Sequence, residues 1–158
     1  MAEPRQFAVI FAGVTGGNGQ ATDTIATVIA AAATPVINTN TWAATGDAMN
    51  VALTPAGGIL TANHTNGARN YQVTFMGRIA KLAGVGGDVT AHVYVNGAPM
   101  AAPLSRCVFL DPTDPSSTFH MAGTVALVLG DEVAIYVENV DDTDNVQLIE
   151  GATFAIKS

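Results

Sequence analysis

The sequence predicts an all-β fold, an antiparallel sandwich or barrel, in a single domain spanning residues 1–158. Short runs rich in β-branched residues recur along the chain, and Gly, Pro, Asn and Asp interrupt them at fairly regular intervals, which is typical of such folds. A length of 158 residues suits one domain. Hydrophobic residues make up 49% of the chain and charged residues 12%, which excludes intrinsic disorder because disorder requires low hydrophobicity and high charge.

The N-terminal third is the least regular part of the sequence. Alternation predicts a strand over Phe7–Ala12, ended by a glycine-rich turn at Gly16–Gly19. The segment Asp23–Ala33 is either helical, because of its five alanines, or extended, because of its β-branched residues. An extended run is predicted over Thr34–Trp42. Residues 1–33 are therefore a candidate N-terminal arm.

Strands and turns are clearer from residue 50 onward. The predicted strands Asn50–Thr54 and Gly58–Ala62 flank a Pro-Ala-Gly turn. A long strand over Asn70–Ala83 follows, with its large apolar residues alternating on one face. The next strand, Asp88–Val95, ends at Asn96-Gly97, the strongest short hairpin signal in the sequence because both residues tolerate positive φ.

The last third of the chain predicts four more strands separated by polar turns. Asp111–Ser117 and Asp141–Asn145 are predicted loops, and Gly151 is a candidate break within the final strand. The four strands are Arg106–Leu110, Thr118–Leu129, Glu132–Asn139 and Val146–Lys157. The single cysteine, Cys107, excludes an internal disulfide, and its place in an apolar run predicts a buried core position.

The sequence lacks the residue patterns of an enzyme or a cofactor-binding protein. There is no G-x-S-x-G nucleophile elbow, and the glycine-rich segment 13–19 lacks the Lys-Ser/Thr pair that ends a phosphate-binding loop. His92 and His120 lie in predicted strands, and we interpret them as surface or interface residues rather than metal ligands. The Asp141–Asp144 run lacks the Gly and Glu of a calcium loop. We therefore predict no catalytic residue, no metal and no cofactor.

The charge balance disfavours two classes of partner. Six Lys and Arg residues against 13 Asp and Glu residues give a net charge of −7, whereas nucleic-acid binding depends on clustered cations. No apolar stretch reaches the length of about 20 residues that a membrane span needs, and no signal peptide is recognisable. We expect a protein made in a cytoplasm, with neither nucleic acid nor membrane as a partner.

Four stretches in the second half of the chain share a pattern with one known family. They are Asn70–Phe75 (NYQVTF), Val93–Gly97 (VYVNG), Leu127–Val137 (LVLGDEVAIYV) and Gly151–Ile156 (GATFAI). These stretches resemble strands of the C1q/TNF-like jelly roll, especially the forms found in phage virion proteins, over about residues 34–158. The resemblance implies an antiparallel jelly-roll sandwich of about 8–10 strands, and it specifies a fold more than an activity.

The resemblance also implies a homotrimer, packed about a three-fold axis through one sheet. The outward positions of three predicted strands are small, aromatic or weakly polar, whereas an ordinary exposed face would be rich in charge. Depletion of charge with Tyr and Met present is typical of an interface core. The predicted trimer-interface residues are Gln72, Thr74, Met76, Ala134, Tyr136, Thr153 and Ala155. The alternative is that the segment 2–33 of the same chain covers this face.

Three functions follow from these observations. The leading one is a non-enzymatic virion structural protein, a trimeric capsid decoration or head-fibre module that binds the major capsid protein or another virion protein and stabilises the capsid surface. The alternative is a host-receptor or carbohydrate-binding module of a tail or fibre, with its site in the loops 111–117 or 141–145 and with Tyr94 or Trp42 stacking on sugar. A cupin-like enzyme is the third, and the sequence lacks its His-x-His pair.

Overall fold

Alternation of apolar and polar residues in the long strands produces two antiparallel sheets, each burying one face against the other. The computed structural model describes residues 16–27, 36–44, 51–64, 67–82, 86–100, 104–114, 116–140 and 145–157. All regular structure within these ranges is β, and both sheets contain seven strands. The predicted class, an antiparallel jelly-roll sandwich, is confirmed. The strands outnumber the predicted 8–10 because several are only two or three residues long.

Sheet A is organised around one long central strand. Its strands are β1 (Gly16–Ala21), β2 (Ile25–Thr27), β4 (Trp42–Ala44), β7 (Arg69–Lys81), β11 (Ser116–Leu127), β13 (Val146–Leu148) and β14 (Thr153–Lys157). β7 pairs with β11 along one side, and with β14 and then β13 along the other. β11 is consequently an edge strand, with β7 as its one partner among the described strands.

Sheet B is organised around β8 and β12. Its strands are β3 (Val36–Ile37), β5 (Val51–Thr54), β6 (Ile59–Ala62), β8 (Gly87–Val95), β9 (Ala98–Pro99), β10 (Ser105–Leu110) and β12 (Glu132–Asn139). β8 pairs with β12 along one side and with β10 along the other. The predicted Asn96-Gly97 turn is confirmed, with φ angles of 53° and 72°. The predicted break at Gly151 is confirmed as well, because it separates β13 from β14.

The core contains a group of aromatic side chains that contact both sheets. The Trp42 ring lies 6.3 Å from that of Phe75 and 6.4 Å from that of Phe154, both on sheet A. The Trp42 Nε1 donates a hydrogen bond of 3.1 Å to the Asn38 Oδ1. The Asn38 Nδ2 in turn donates to the backbone carbonyl of Ile135 in sheet B, also at 3.1 Å. These contacts join the two layers through buried and satisfied polar groups.

Buried asparagines explain why Thr34–Trp42 is not one continuous strand. Two short strands, β3 and β4, flank a segment in which Asn38 and Asn40 are 1% and 0% exposed. Asn40 Nδ2 donates to the backbone carbonyls of Asp23 at 2.7 Å and Leu148 at 3.2 Å. Short amide side chains that hydrogen-bond to backbone compete with the strand ladder, so the chain leaves the sheet here.

The expectation of a turn at Gly16–Gly19 is wrong, because these residues begin β1. Residues 16–20 pair with β14, and residues 19–21 also pair with β4, which holds the segment extended despite the low strand propensity of glycine. A Cβ at Gly19 would lie 3.1 Å from a side-chain carbon of Leu53. Glycine in this strand therefore permits close packing, a role that local composition does not reveal.

The expectation of a buried Cys107 is also wrong, because its side chain is exposed. It lies on the edge strand β10, in register with Thr90. Val108 and Leu110 point inward on this strand, whereas Cys107 and Phe109 point outward. An apolar run does not by itself show which of its residues face the core, because successive side chains of a strand point to opposite faces.

The N-terminal expectations have mixed outcomes. Residues 16–27 of the candidate arm 1–33 contribute β1 and β2 to sheet A. Within Asp23–Ala33, residues 25–27 are extended, and residues 28–33 lie outside the described ranges. The predicted strand Phe7–Ala12 and the acidic run Asp141–Asp144 also lie outside them.

Substitution of Gly58 tests the packing around Trp42. Gly58 has a φ of +61°, and a Cβ there would lie 2.6 Å from the indole ring, whereas Gly67 has a φ of +62° and no atom within 4 Å. We expect Gly67→Ala to cost about 1–2 kcal/mol from backbone strain, and Gly58→Ala to cost about 1–3 kcal/mol more from overpacking. Urea unfolding at one protein concentration measures both, and equal losses would contradict the packing described.

Candidate functional site

The structure divides the seven predicted interface residues between two opposite surfaces. Five lie on the outer face of sheet A, where Thr153 is in register with Met76, and Ala155 with Thr74, so that their side chains share a side. The fifth is Gln72. Ala134 and Tyr136 lie on β12, on the outer face of sheet B. The strand pattern predicted which side of a sheet each residue faces, but not which sheet contains it.

The outer face of sheet A carries small and weakly polar side chains. The outward residues of β11 extend the surface beside those of β7, and they are Thr118, His120, Ala122, Thr124 and Ala126. Met76, on the central strand β7, is 49% exposed on this surface. Charge occurs only toward its ends, at Arg78 and Lys157. We call this surface the sheet A face.

A shallow depression of 750 Å³ opens at one end of the sheet A face. Met76, Thr118, His120 and Thr153 contribute to its lining, together with the arginine of β10, Arg106. The lining is neutral except for Arg106 and, when protonated, His120.

The strands of the two sheets differ in the sign of their charged residues. The strands of sheet A contain no Asp or Glu, whereas the strands of sheet B contain Asp88, Glu132 and Glu138. Arg106 is the one cation in the strands of sheet B. The cations of the sheet A strands are Arg69, Arg78, Lys81 and Lys157. The sandwich therefore presents its acidic strand residues on one side only.

A cluster of aromatic and titratable side chains lies on the outer face of sheet B. The rings of Tyr94 and Tyr136 are stacked, with centroids 4.2 Å apart and an interplanar angle of 16°. His92 meets Tyr94 edge to face at 6.2 Å. The His92 Nε2 lies 2.8 Å from the Glu138 Oε2, a charge-assisted contact when the imidazole is protonated. We call these four residues the tyrosine cluster.

The surroundings of Tyr94 disfavour its ionised form. Burial is the main cause that raises the pKa of its hydroxyl, and the nearby Glu138 carboxylate and Tyr136 raise that pKa further. Ala134 lies directly opposite Tyr94 in register and is only 7% exposed, so the aromatic side chains shield it. The cluster therefore covers the sheet while its rings stay partly accessible.

The other histidines do not form a site with His92. His120 lies on the sheet A face, and His92 lies on the opposite face of the sandwich, so the two cannot share a metal. His64 is 2% exposed, and its ring nitrogens contact the Gly67 carbonyl and the Tyr71 hydroxyl, each at 2.9 Å. Within the described ranges, no three His, Cys, Asp or Glu side chains are grouped as a metal would require.

Trp42 and the loop 111–117 are both predicted as parts of a carbohydrate site. Trp42 is 2% exposed, so its predicted stacking role is wrong. Its apolar ring is needed in the core, where Asn38 satisfies its single polar group. The Asp111 Oδ1 accepts hydrogen bonds from the Thr113 nitrogen at 2.7 Å and hydroxyl at 2.6 Å, which lowers the pKa of the carboxyl group. That oxygen therefore shapes its own turn.

In the parts of the chain that the structure describes, no helix has the length and apolarity needed to cross a bilayer.

Solved structures of TNF proteins share this fold. Eiger TNF from S. frugiperda is 12% identical, and the alignment covers 92% of both chains with a TM-score of 0.61. The crystal structure of murine APRIL at pH 8.5 is 10% identical, with coverage of 92% of this chain and 99% of APRIL and a TM-score of 0.59. At such identities the likeness shows the fold alone. No family model matches the sequence, and no curated protein sequence matches it.

The ionisation of Tyr94 tests the geometry of the tyrosine cluster. We expect Glu138→Gln to lower the raised pKa of Tyr94 while leaving it above the ordinary value of 10.0, because burial, the larger cause, remains. Since the fold favours the neutral phenol, the associated stability is present below pH 10 and is lost as the pH rises through the raised pKa. The ¹³Cζ shift of Tyr94 followed with pH measures the change. Glu132→Gln is the control, and an equal effect from both variants would contradict the arrangement.

Proposed function

We propose that this chain is the subunit of a non-enzymatic homotrimer that serves as a capsid decoration or head-fibre module of a phage virion. The observation that carries the assembly is the charge-poor sheet A face. Two further observations support the virion role. Four sequence stretches resemble virion jelly rolls, and the sequence lacks catalytic residue patterns. The partners would be two further copies of the chain and the major capsid protein or another virion protein.

The chemistry of the sheet A face supports burial against other copies. Ala122 and Ala155 contribute small side chains to the surface, and Met76 supplies an adaptable apolar group on the central strand β7. Burial of this surface on association would cost little desolvation free energy, because the surface carries few charged groups. The predicted residues Gln72, Thr74, Met76, Thr153 and Ala155 belong to this proposed interface.

The edge strand β11 gives a second reason for assembly. It is 12 residues long, contains no Lys, Arg, Asp, Glu or Pro, and pairs with β7 alone among the described strands. A long edge without charge or proline is an aggregation hazard, which natural proteins avoid by covering it. A closed trimer would cover both β11 and the adjoining face, and closure prevents open-ended association.

The outer face of sheet B lies outside this proposed interface. Ala134 and Tyr136 lie on sheet B, across the core from Met76, so an interface centred on sheet A does not include them. The acidic residues of sheet B would then surround the assembly, and like charge keeps assembled particles soluble.

Of the two aromatic residues predicted to stack on sugar, only one is accessible. Tyr94 is partly exposed beside Tyr136, whereas Trp42 belongs to the core. This alternative places the binding surface on sheet B and is compatible with a trimer formed through sheet A.

A pair of alanine substitutions tests the assembly. Ala122 and Ala52 are both exposed strand residues, on the sheet A face and on the sheet B edge strand β5 respectively. We expect Ala122→Glu to convert a trimer into monomers, because three buried carboxylates cannot be solvated in the interface, and Ala52→Glu to leave it unchanged. Light scattering coupled to size-exclusion chromatography measures the mass. A monomeric parent protein, or two variants that behave alike, would contradict the proposal.

Deletion of residues 2–15 tests the capsid role separately. The deletion leaves every described strand intact, since β1 begins at Gly16. If the segment contacts the lattice, the deleted protein stays trimeric but no longer sediments with capsids assembled from the major capsid protein of the same genome. The full-length protein is the positive control. If the deleted protein still co-sediments, residues 2–15 do not bind the capsid. If the full-length protein does not co-sediment, the proposed capsid function is wrong.

A further inference from the structure

The tyrosine cluster combines three features that together suit a cationic ligand. Two stacked phenol rings lie 4.2 Å apart, and aromatic faces attract cations through their quadrupole. The Glu138 carboxylate lies close enough to act on Tyr94 electrostatically. Glu138 is only 17% exposed at its side chain, so a charge bound beside it is partly shielded from water.

The cluster is left with unused capacity to bind. Glu138 contacts His92 through Oε2, and its other carboxylate oxygen has no hydrogen-bond partner among the described residues. The hydroxyls of Tyr94 and Tyr136 likewise make no hydrogen bond within those ranges. The Asn96-Gly97 turn lies beside the Tyr136 hydroxyl, since a Cβ at Gly97 would be 3.8 Å from it.

The charged residues of the surrounding strands favour a positively charged ligand. β8 and β12, which carry the whole cluster, contain Asp88, Glu132 and Glu138 but neither Lys nor Arg. An anionic partner would be repelled here, whereas a cation would meet both the acidic field and the ring faces. The face is thus complementary to a basic segment of another protein.

We propose that the tyrosine cluster on the outer face of sheet B binds an arginine side chain of a partner protein. The guanidinium stacks on the accessible part of the tyrosine pair and donates to the Glu138 carboxylate. Arginine fits better than lysine because its planar, weakly hydrated head can stack and hydrogen-bond at the same time. The site lies on the side of the sandwich opposite the sheet A face, so it does not depend on the proposed trimer.

Titration with three capped peptides tests the site. The probes are Ac-Ala-Arg-Ala-NH₂, its lysine analogue and its citrulline analogue, which keeps the shape of arginine without the charge. Ring resonances of Tyr94 and Tyr136 should shift saturably with the arginine peptide, while those of the buried Tyr71 and Trp42 should not. We expect the lysine peptide to bind more weakly and the citrulline peptide to bind at least about 3-fold more weakly, as the loss of a partly exposed cation–π contact implies.

Substitutions separate the site from general attraction to an acidic protein. Glu138→Gln should weaken arginine binding about 3- to 10-fold, whereas Glu132→Gln, which removes the same charge from the same strand, should change it less than about 2-fold. The double variant Tyr94→Leu/Tyr136→Leu keeps the apolar cover of Ala134 but removes the tyrosine reporters, so the ring resonances of His92, 6.2 Å from Tyr94, report binding instead. They should shift saturably with the arginine peptide in the parent protein and not in the double variant. Equal effects of Glu138→Gln and Glu132→Gln, or equal binding of arginine and citrulline, would overturn the proposal. Tyrosine shifts with a neutral glycan panel and none with arginine would also overturn it, in favour of a sugar site.

Discussion

The hydrogen bond between Trp42 and Asn38 is the contact on which the rest of the sandwich depends. The indole ring of Trp42 packs against Phe75 and Phe154 of sheet A, while its single polar group donates a hydrogen bond to Asn38. Asn38 donates in turn to the carbonyls of Gly57 and Ile135, at 3.1 Å each. An unsatisfied buried polar group costs about 1–3 kcal/mol, so each partner holds the others in place. The two sheets are thereby joined through side chains as well as through apolar packing.

This junction leaves the two outer faces free to differ. The inner faces must be apolar in any sandwich, but the outer faces are constrained only by what covers them. Sheet A presents small, neutral side chains beside the uncharged edge strand β11. Sheet B presents stacked tyrosines among acidic residues. The chain therefore carries a charge-poor surface, which we propose packs against further copies, and an acidic aromatic surface, which we propose binds a basic partner.

Local patterns were sufficient to predict most strands and the main turns. β7, β8 and β12 alternate strongly, so their bounds and inward residues follow from the sequence. Asn96-Gly97 formed the expected turn because its backbone requirement is local. Prediction failed where a distant contact decides the outcome. Gly16–Gly19 forms a strand because it pairs with β14, and Cys107 is exposed because Val108 and Leu110, rather than Cys107, face the core from the edge strand β10.

The candidate sites show the same division. The sequence by itself determined an all-β sandwich, and it determined that residues such as Thr74 and Tyr136 point away from the core, because side chains alternate along a strand. Only the tertiary structure decided that Thr74 lies on sheet A and Tyr136 on sheet B, and that Tyr136 stacks on Tyr94 beside Glu138. Alternation is a property of consecutive residues, whereas the assignment of a strand to a sheet depends on pairing between residues far apart in the chain.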